Sequence, residues 1–197
     1  GLLKHGNEML ALGCTRVELG IQTVYDNVLH ATNRGHTIEH TKESTRILKD
    51  LGFKINYHVM PGLPGVNREQ DIESLNTLFN DSNFRPDMLK IYPCLVMPGT
   101  PLEIQYKRGE FTPLSVEQAA DIIVEAKKFF PKFLRVMRVQ RDIPSTVVEA
   151  GAKKTNLRQY VQDLQNQRDV KCNCIRCREP RNKEVSNSIQ MDIQEYE

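Results

Sequence analysis

No apolar run in this sequence approaches the ~18 residues that a membrane helix needs, and the mean hydropathy is -0.49. A membrane span is therefore excluded, and no signal peptide precedes the first charged residues, so the expected location is cytoplasmic. Neither sign of charge dominates: 27 Lys and Arg stand against 25 Asp and Glu, a net of +2. A nucleic-acid partner has to be argued from local clustering instead. Cysteine is scarce and odd in number, five in all, which argues against a disulfide framework and, given a tight trio near the end, for a metal. No short-period repeat appears. What is present is ordinary for a globular domain: 197 residues, 39% hydrophobic and 26% charged. The opening "GLLKHGNEML" has no start methionine and reads as a piece excised from a longer chain.

Strand and helix signals alternate along the first two thirds. "LLKHGNEMLALG" predicts a helix closed by Gly13, and "TRVELGIQT" (15–23) a strand. "TIEHTKESTRILKDL" predicts a helix capped at Thr37 and stopped by Gly52. "FKINYHVMPGLPG" (53–65) is a strand entering a Pro/Gly loop, and "NREQDIESLNTLF" has Ile72, Leu75 and Phe79 at helical spacing. "MLKIYPCLV" (88–96) and "FLRVMRVQ" (133–140) are the next strands. Between them "SVEQAADIIVEAKKFFP" carries a Ser115–Gln118 capping box, an apolar stripe and Pro131 as terminator. This order predicts an α/β fold with a parallel sheet and crossover helices, either an open sheet or a partial (βα) barrel. After "RDIP" the chain turns polar. We therefore expect a barrel portion over 1–144, a linker helix and small metal-binding segment over 145–182, and a connection to a further domain over 183–197, the last as a strand.

Ligands in parallel α/β folds sit at the carboxyl ends of the strands, which directs attention to three exits. They are "ELGIQT", with Arg34 following in "TNRGH"; "NYHVMPGLPG"; and "KIYPCLVMPGT". Taken singly, Glu18 and Gln22 read equally as polar ends of a buried strand, Arg34 as a solvated charge, and the loops as good turns.

Together with "GCTRVELGIQTVYDNVLHATNRGHT", "DMLKIYPCLVMPGTPL", "RVQRDIP" and "CNCIRCRE", these exits resemble the catalytic third subunit of Elongator, the radical S-adenosylmethionine tRNA uridine acetyltransferase family. The resemblance covers essentially the whole chain. It implies a radical-SAM-type barrel and modification of the tRNA wobble uridine at carbon 5. Acetyl-CoA would be the carbon donor, and a [4Fe-4S] cluster would cleave S-adenosylmethionine to a 5'-deoxyadenosyl radical. It further implies that Gln22 and Arg34 hold S-adenosylmethionine, Arg34 pairing its fork with the carboxylate. His58 falls where related enzymes carry a ribose-binding acid. The cluster's three-cysteine motif and the acetyltransferase domain have no counterpart in these residues, so both are expected outside the chain, and the piece alone is expected to be inactive. The partners implied are tRNA, acetyl-CoA, and other Elongator subunits or a second copy.

"KKFFPKFLRVMRVQR" gathers Lys127, Lys128, Lys132, Arg135, Arg138 and Arg141, either as a solvated helix face or as contacts to RNA phosphates. The arginines alternate with apolar residues, so some are expected to turn inward onto acids such as Asp142. "EAGAKKTNLRQ" resembles a family segment between the radical and acetyltransferase halves that blocks the acetyl-CoA site until tRNA arrives. It also reads as a linker entering a helix at Asn156. Lys153, Lys154, Asn156 and Arg158 are candidate RNA or interdomain contacts.

C-x-C-x-x-C in "KCNCIRCRE" offers Cys172, Cys174 and Cys177 as three soft ligands, for which zinc is the favoured metal. Cys94 is the candidate fourth ligand, with His36, His58 or a residue outside the chain as alternatives. A rival reading of the whole is a zinc-stabilised RNA-binding module without catalysis. A metal hydrolase would need more clustered acids and histidines at the strand ends than Glu18 supplies.

Overall fold

The computed structural model of the protein describes residues 1–140, 143–153, 156–181, 185, 188, 190, 191 and 193. Its centre is a four-stranded parallel sheet in sequence order, β1 (Arg16–Gln22), β2 (Lys54–Val59), β3 (Met88–Ile91) and β4 (Arg135–Val139). Sequential parallel neighbours require a crossover each time. The helices α1 (Leu2–Ala11), α2 (Asp26–Ala31), α3 (Ile38–Asp50), α4 (Arg68–Asn80), α5 (Pro101–Lys107) and α6 (Val116–Lys127) precede or join the strands. α7 (Leu157–Gln167) and the single turn α8 (Ile175–Arg178) follow.

Helix boundaries follow local chemistry. The Thr37 hydroxyl accepts the His40 amide at α3, and the Ser115–Gln118 capping box closes both ways at α6. α5 was not expected. It starts where Thr100 caps and Pro101 takes the first turn, a position that loses no amide bond. Asn156 does precede α7, but its side chain makes no capping bond, which corrects its expected role. The third strand ends at Ile91 rather than 96, and Pro93 then supplies no ladder donor.

The two faces of the sheet differ in kind. On one, register sets Val17 beside Ile55, Leu19 beside Tyr57, Tyr57 beside Leu89 and Leu89 beside Val136. Ile55, Tyr57, Leu89 and Val136 of that row are buried together with Leu48 of α3, Leu75, Leu78 and Phe79 of α4, and Ala119, Ala120 and Ile123 of α6, and half-buried Val17 and Leu19 pack against them. Each fully buried Leu, Ile or Val contributes about 1.5–3 kcal/mol, so this core holds the crossover helices in place. The opposite face carries Glu18, Asn56, His58 and Lys90, and among the described residues no apolar helical layer like the first is packed on it. A sheet covered on one face and polar on the other is the wall of a partial barrel.

Packing is continuous across residue 144. Leu157 and Val161 of α7, with Cys172 and Cys174, belong to the same buried cluster as the sheet. The segment after β4 is also tied back to the strand ends. Val96 and Ala150 form an antiparallel bridge, and buried Gln140 donates to the Ala152 carbonyl at 2.7 Å. No helix among the described residues is long and apolar enough to cross a membrane.

Candidate functional site

Glu18 is the hub of the polar face. It accepts hydrogen bonds from Lys90 Nζ at 2.5 Å on β3 and from Asn56 Nδ2 at 3.2 Å on β2, and lies 2.6 Å from His58 Nε2. Partial burial opposes its charge, but the bonds from Lys90 and then His58 outweigh burial and hold the carboxyl at about 2. The His58 ring is set edge-on to Tyr92, centroids 5.5 Å apart. His58 therefore stands at a strand end in a fixed orientation, with one ring nitrogen occupied by Glu18.

The end of β1 is built around the Gly20 carbonyl. Gln22 Nε2 and Arg34 Nη2 both donate to it at 3.2 Å, so the structure brings these two expected ligand contacts together. A Cβ at position 20 would lie 3.0 Å from the first nitrogen and 3.3 Å from the second, so glycine is what lets them close in. Gln22 has a φ of 67°, beyond a register shift after Leu19, and its own carbonyl is fixed by the Met60 amide at 2.8 Å. Left-handed, non-glycine backbone at a strand end is stored strain of the kind found at ligand sites. The exposed Arg34 guanidinium has this one hydrogen bond among the described residues, which leaves donors for an anion. Arg34 and Gln22 together thus fit a ligand bearing a carboxylate, the group S-adenosylmethionine presents.

Beside them runs the "MPGLPG" loop. The Cys94 amide bonds the Pro61 carbonyl at 2.8 Å, and the Gly62 amide bonds Asp71 Oδ2 at 2.8 Å. Asp71 sits in the first turns of α4, and burial pushes its carboxyl up to about 7 against the pull of the Gly62 amide. The same helix receives the Val24 amide on Ser74 Oγ at 3.3 Å and the Tyr25 hydroxyl on Glu73 at 3.1 Å. α4 is therefore the template on which the exits of β1 and β2 are set. Sequence reasoning missed Asp71, Asn56 and Lys90. The last two were legible as a polar residue at every second place of strands otherwise apolar.

Cys172, Cys174 and Cys177 have their sulfurs within 4.8 Å of one another, with no disulfide between them. Three convergent thiols fit a soft, tetrahedrally bound cation such as zinc. Hydrogen bonds from Cys172 and Cys174 lower the Cys177 thiol, while hydrogen bonds with Cys174 and Cys177 and then burial raise Cys172. Lys127 Nζ donates to Cys177 Sγ at 3.2 Å.

Cys94 is not brought to this trio, which corrects its expectation as fourth ligand. It lies in a separate apolar cluster with Val28, Leu63, Val96 and Phe111, where burial, aided by Asp71, pushes its thiol up to about 12. A thiol whose thiolate is disfavoured by burial is a poor ligand. Of the expected RNA contacts, Lys127 is corrected too: it is 6% exposed and turned onto Cys177. Lys128 is exposed and pairs with Glu125 at 2.6 Å, and Arg135 pairs with Glu179 at 2.6 Å. Arg138 is exposed and in register with Lys90, Lys153 is exposed, and Arg158 is half-buried with a bond to the Val136 carbonyl at 3.3 Å. Arg141, Asp142 and Lys154, and most of the strand expected after 183, lie outside the described residues.

Two family models match: the radical SAM superfamily over residues 4–78 and the radical SAM C-terminal domain over 86–166. The chain has the radical SAM fold, as a partial barrel. Among its close homologues are the tRNA uridine(34) acetyltransferase of Methanocaldococcus jannaschii, 48% identical over 97% of this chain, and human Elongator complex protein 3, 39% identical over 94%. A solved structure of an archaeal Methanocaldococcus infernus Elp3 lacking its first residues superposes with a TM-score of 0.86 at 48% identity, over 89% of this chain and 41% of that one. The chain spans about a third of the curated relatives, 35% of the M. jannaschii protein and 34% of the human one.

Proposed function

We propose that the chain is the central part of a cytoplasmic radical S-adenosylmethionine enzyme that modifies the wobble uridine of tRNA at carbon 5 with a carboxymethyl-type group. The observation that carries this reading is the convergence of Gln22 and Arg34 on the Gly20 carbonyl at the exit of β1. It is supported by 48% identity to a protein named for uridine 34 acetylation. S-adenosylmethionine, bound with a [4Fe-4S] cluster held by cysteines outside these residues, supplies the hydrogen-abstracting radical, and acetyl-CoA the carbon unit.

The chain's own residues do the holding. Arg34 clamps the carboxylate of S-adenosylmethionine, Gln22 fixes the adjoining backbone, and the Glu18–His58–Lys90 face forms the polar floor on which the sugar rests through His58. Cys172, Cys174 and Cys177 hold a structural zinc that fastens the turn before residue 180 to α6 and β4. The stretches 1–144, 145–182 and 183–197 serve as barrel, zinc-bearing link and connection to an acetyltransferase domain. Other Elongator-type subunits or a second copy are the protein partners, and this stretch alone does not turn over.

The test is S-adenosylmethionine cleavage by the full-length protein with its cluster loaded, comparing wild type with Arg34→Ala. Loss of a bidentate carboxylate contact should weaken binding by ~10-fold or more. Unchanged cleavage and unchanged affinity would sink the carboxylate assignment. A protein that binds tRNA but never cleaves S-adenosylmethionine would instead be the non-catalytic RNA-binding module.

A further inference from the structure

A cavity of about 500 Å³ lies between α6, β4, α7 and α8, and the charged side chains that line it are mostly cationic. Among the described residues Lys127, Arg158, Arg176 and Arg181 line it, against the one carboxylate of Glu179. That carboxylate is already shared: Arg135 Nη2 lies 2.6 Å from one oxygen and Arg176 Nη1 3.0 Å from the other. Lys127 is committed to Cys177. Counting three thiolates around a divalent metal as one further negative charge, the five cations, Arg135 included, still exceed the anions facing them among the described residues.

The excess falls on the three arginines. Arg176 Nε is buried and has no hydrogen-bond partner among the described residues. Arg158 has one hydrogen bond among the described residues, to a neutral carbonyl, and burial followed by the charge of Arg176 pushes its guanidinium below the usual value. Guanidiniums are costly to crowd together without a counter-charge, and their planar forks match phosphate oxygens in pairs.

We infer that this cavity is a binding site for a phosphate of the RNA backbone, held by Arg158, Arg176 and Arg181. The inference rests on the tRNA reading above and deepens it, because it keeps Arg158 of α7 among the RNA contacts expected from the sequence and joins to it Arg176 and Arg181, which were not expected. A phosphodiester suits the site better than an isolated carboxylate: the arginines arrive from separate elements, and a phosphate offers oxygens in several directions. The cysteine turn then has a second use, since the metal that closes it also fixes Arg176 and Arg181 at the mouth of the site.

The experiment measures tRNA affinity of the full-length protein across a salt series for wild type, Arg158→Gln, Arg181→Gln and Arg158→Lys. Each loss of a phosphate contact should weaken binding several-fold near 0.1 M salt and reduce the slope of log K against log salt by about 1, alike for different tRNA sequences. Arg158→Lys should recover part of the affinity, and competing inorganic phosphate should weaken wild type more than Arg158→Gln. Melting temperatures and metal content of the variants separate lost contact from lost fold. Wild-type binding of tRNA with the same slope in both glutamine variants overturns the site while leaving the tRNA reading intact. Tighter tRNA binding in the variants also overturns it, since it places an acidic protein segment in the cavity. No tRNA binding by wild type overturns the tRNA reading itself, and with it the occupant assigned here.

Discussion

Asp71→Asn tests whether the loop after β2 is held by a carboxyl that burial disfavours in its charged form. In the folded protein Asp71 titrates at about 7, from an ordinary 3.8. The folded state therefore binds more protons than the unfolded state between those values. Stability is greatest below the unfolded pKa and falls as pH rises through the folded one. Three pKa units correspond to about 4 kcal/mol at 1.36 kcal/mol each, an upper bound on what ionisation costs. Asparagine keeps the shape and a carbonyl oxygen for the Gly62 amide but cannot ionise, and its buried amide NH2 adds donors to be satisfied, at a cost of about 1 kcal/mol. The net expectation is a variant more stable than wild type by about 2–3 kcal/mol at pH 8 and no more stable at pH 4. Urea unfolding of both proteins from pH 4 to pH 8 reads this as a difference, in which the titration of other groups cancels. A difference independent of pH, or an Asn variant less stable at pH 8, would refute the reasoning. The buried acid would then be paired in a way the Gly62 bond does not describe.

Two further outcomes bear on the same region and on the metal. Gly62 has a φ of 78°, and a Cβ there would meet Leu114 Cγ and Cδ1 at 2.6 Å, so Gly62→Ala should cost about 2–4 kcal/mol in chemical denaturation; a smaller loss would mean that Leu114 yields freely. Cys174→Ser should abolish stoichiometric zinc and lower the melting temperature, because Cys174 is fully buried in the main core, while Cys94→Ser should leave metal content unchanged. Zinc lost with Cys94→Ser would restore that residue as a ligand.

The alternation of strands and helices, the capping residues Thr37 and Ser115, and the tight trio of cysteines were legible because each is local. Helical period, strand period and capping chemistry are encoded within a few residues of where they act. The kinship of the exits "ELGIQT" and "NRGHT" was legible for the same reason: a short motif keeps its letters in order. What the letters did not disclose was which distant groups would meet. Lys127 sits in a basic run and looks exposed, yet fifty residues later the chain returns to cover it with Cys177. Cys94 looks like a spare ligand, yet the helix and loops around it seal it in an apolar cluster. Glu18 gains its character only when two neighbouring strands deliver Asn56, His58 and Lys90 to its side. Sequence alone thus determined most of the elements, the sheet class and the clustering of the three cysteines. Burial, ion pairing and ligand geometry were decided by tertiary structure, because they depend on through-space neighbours that no local pattern specifies.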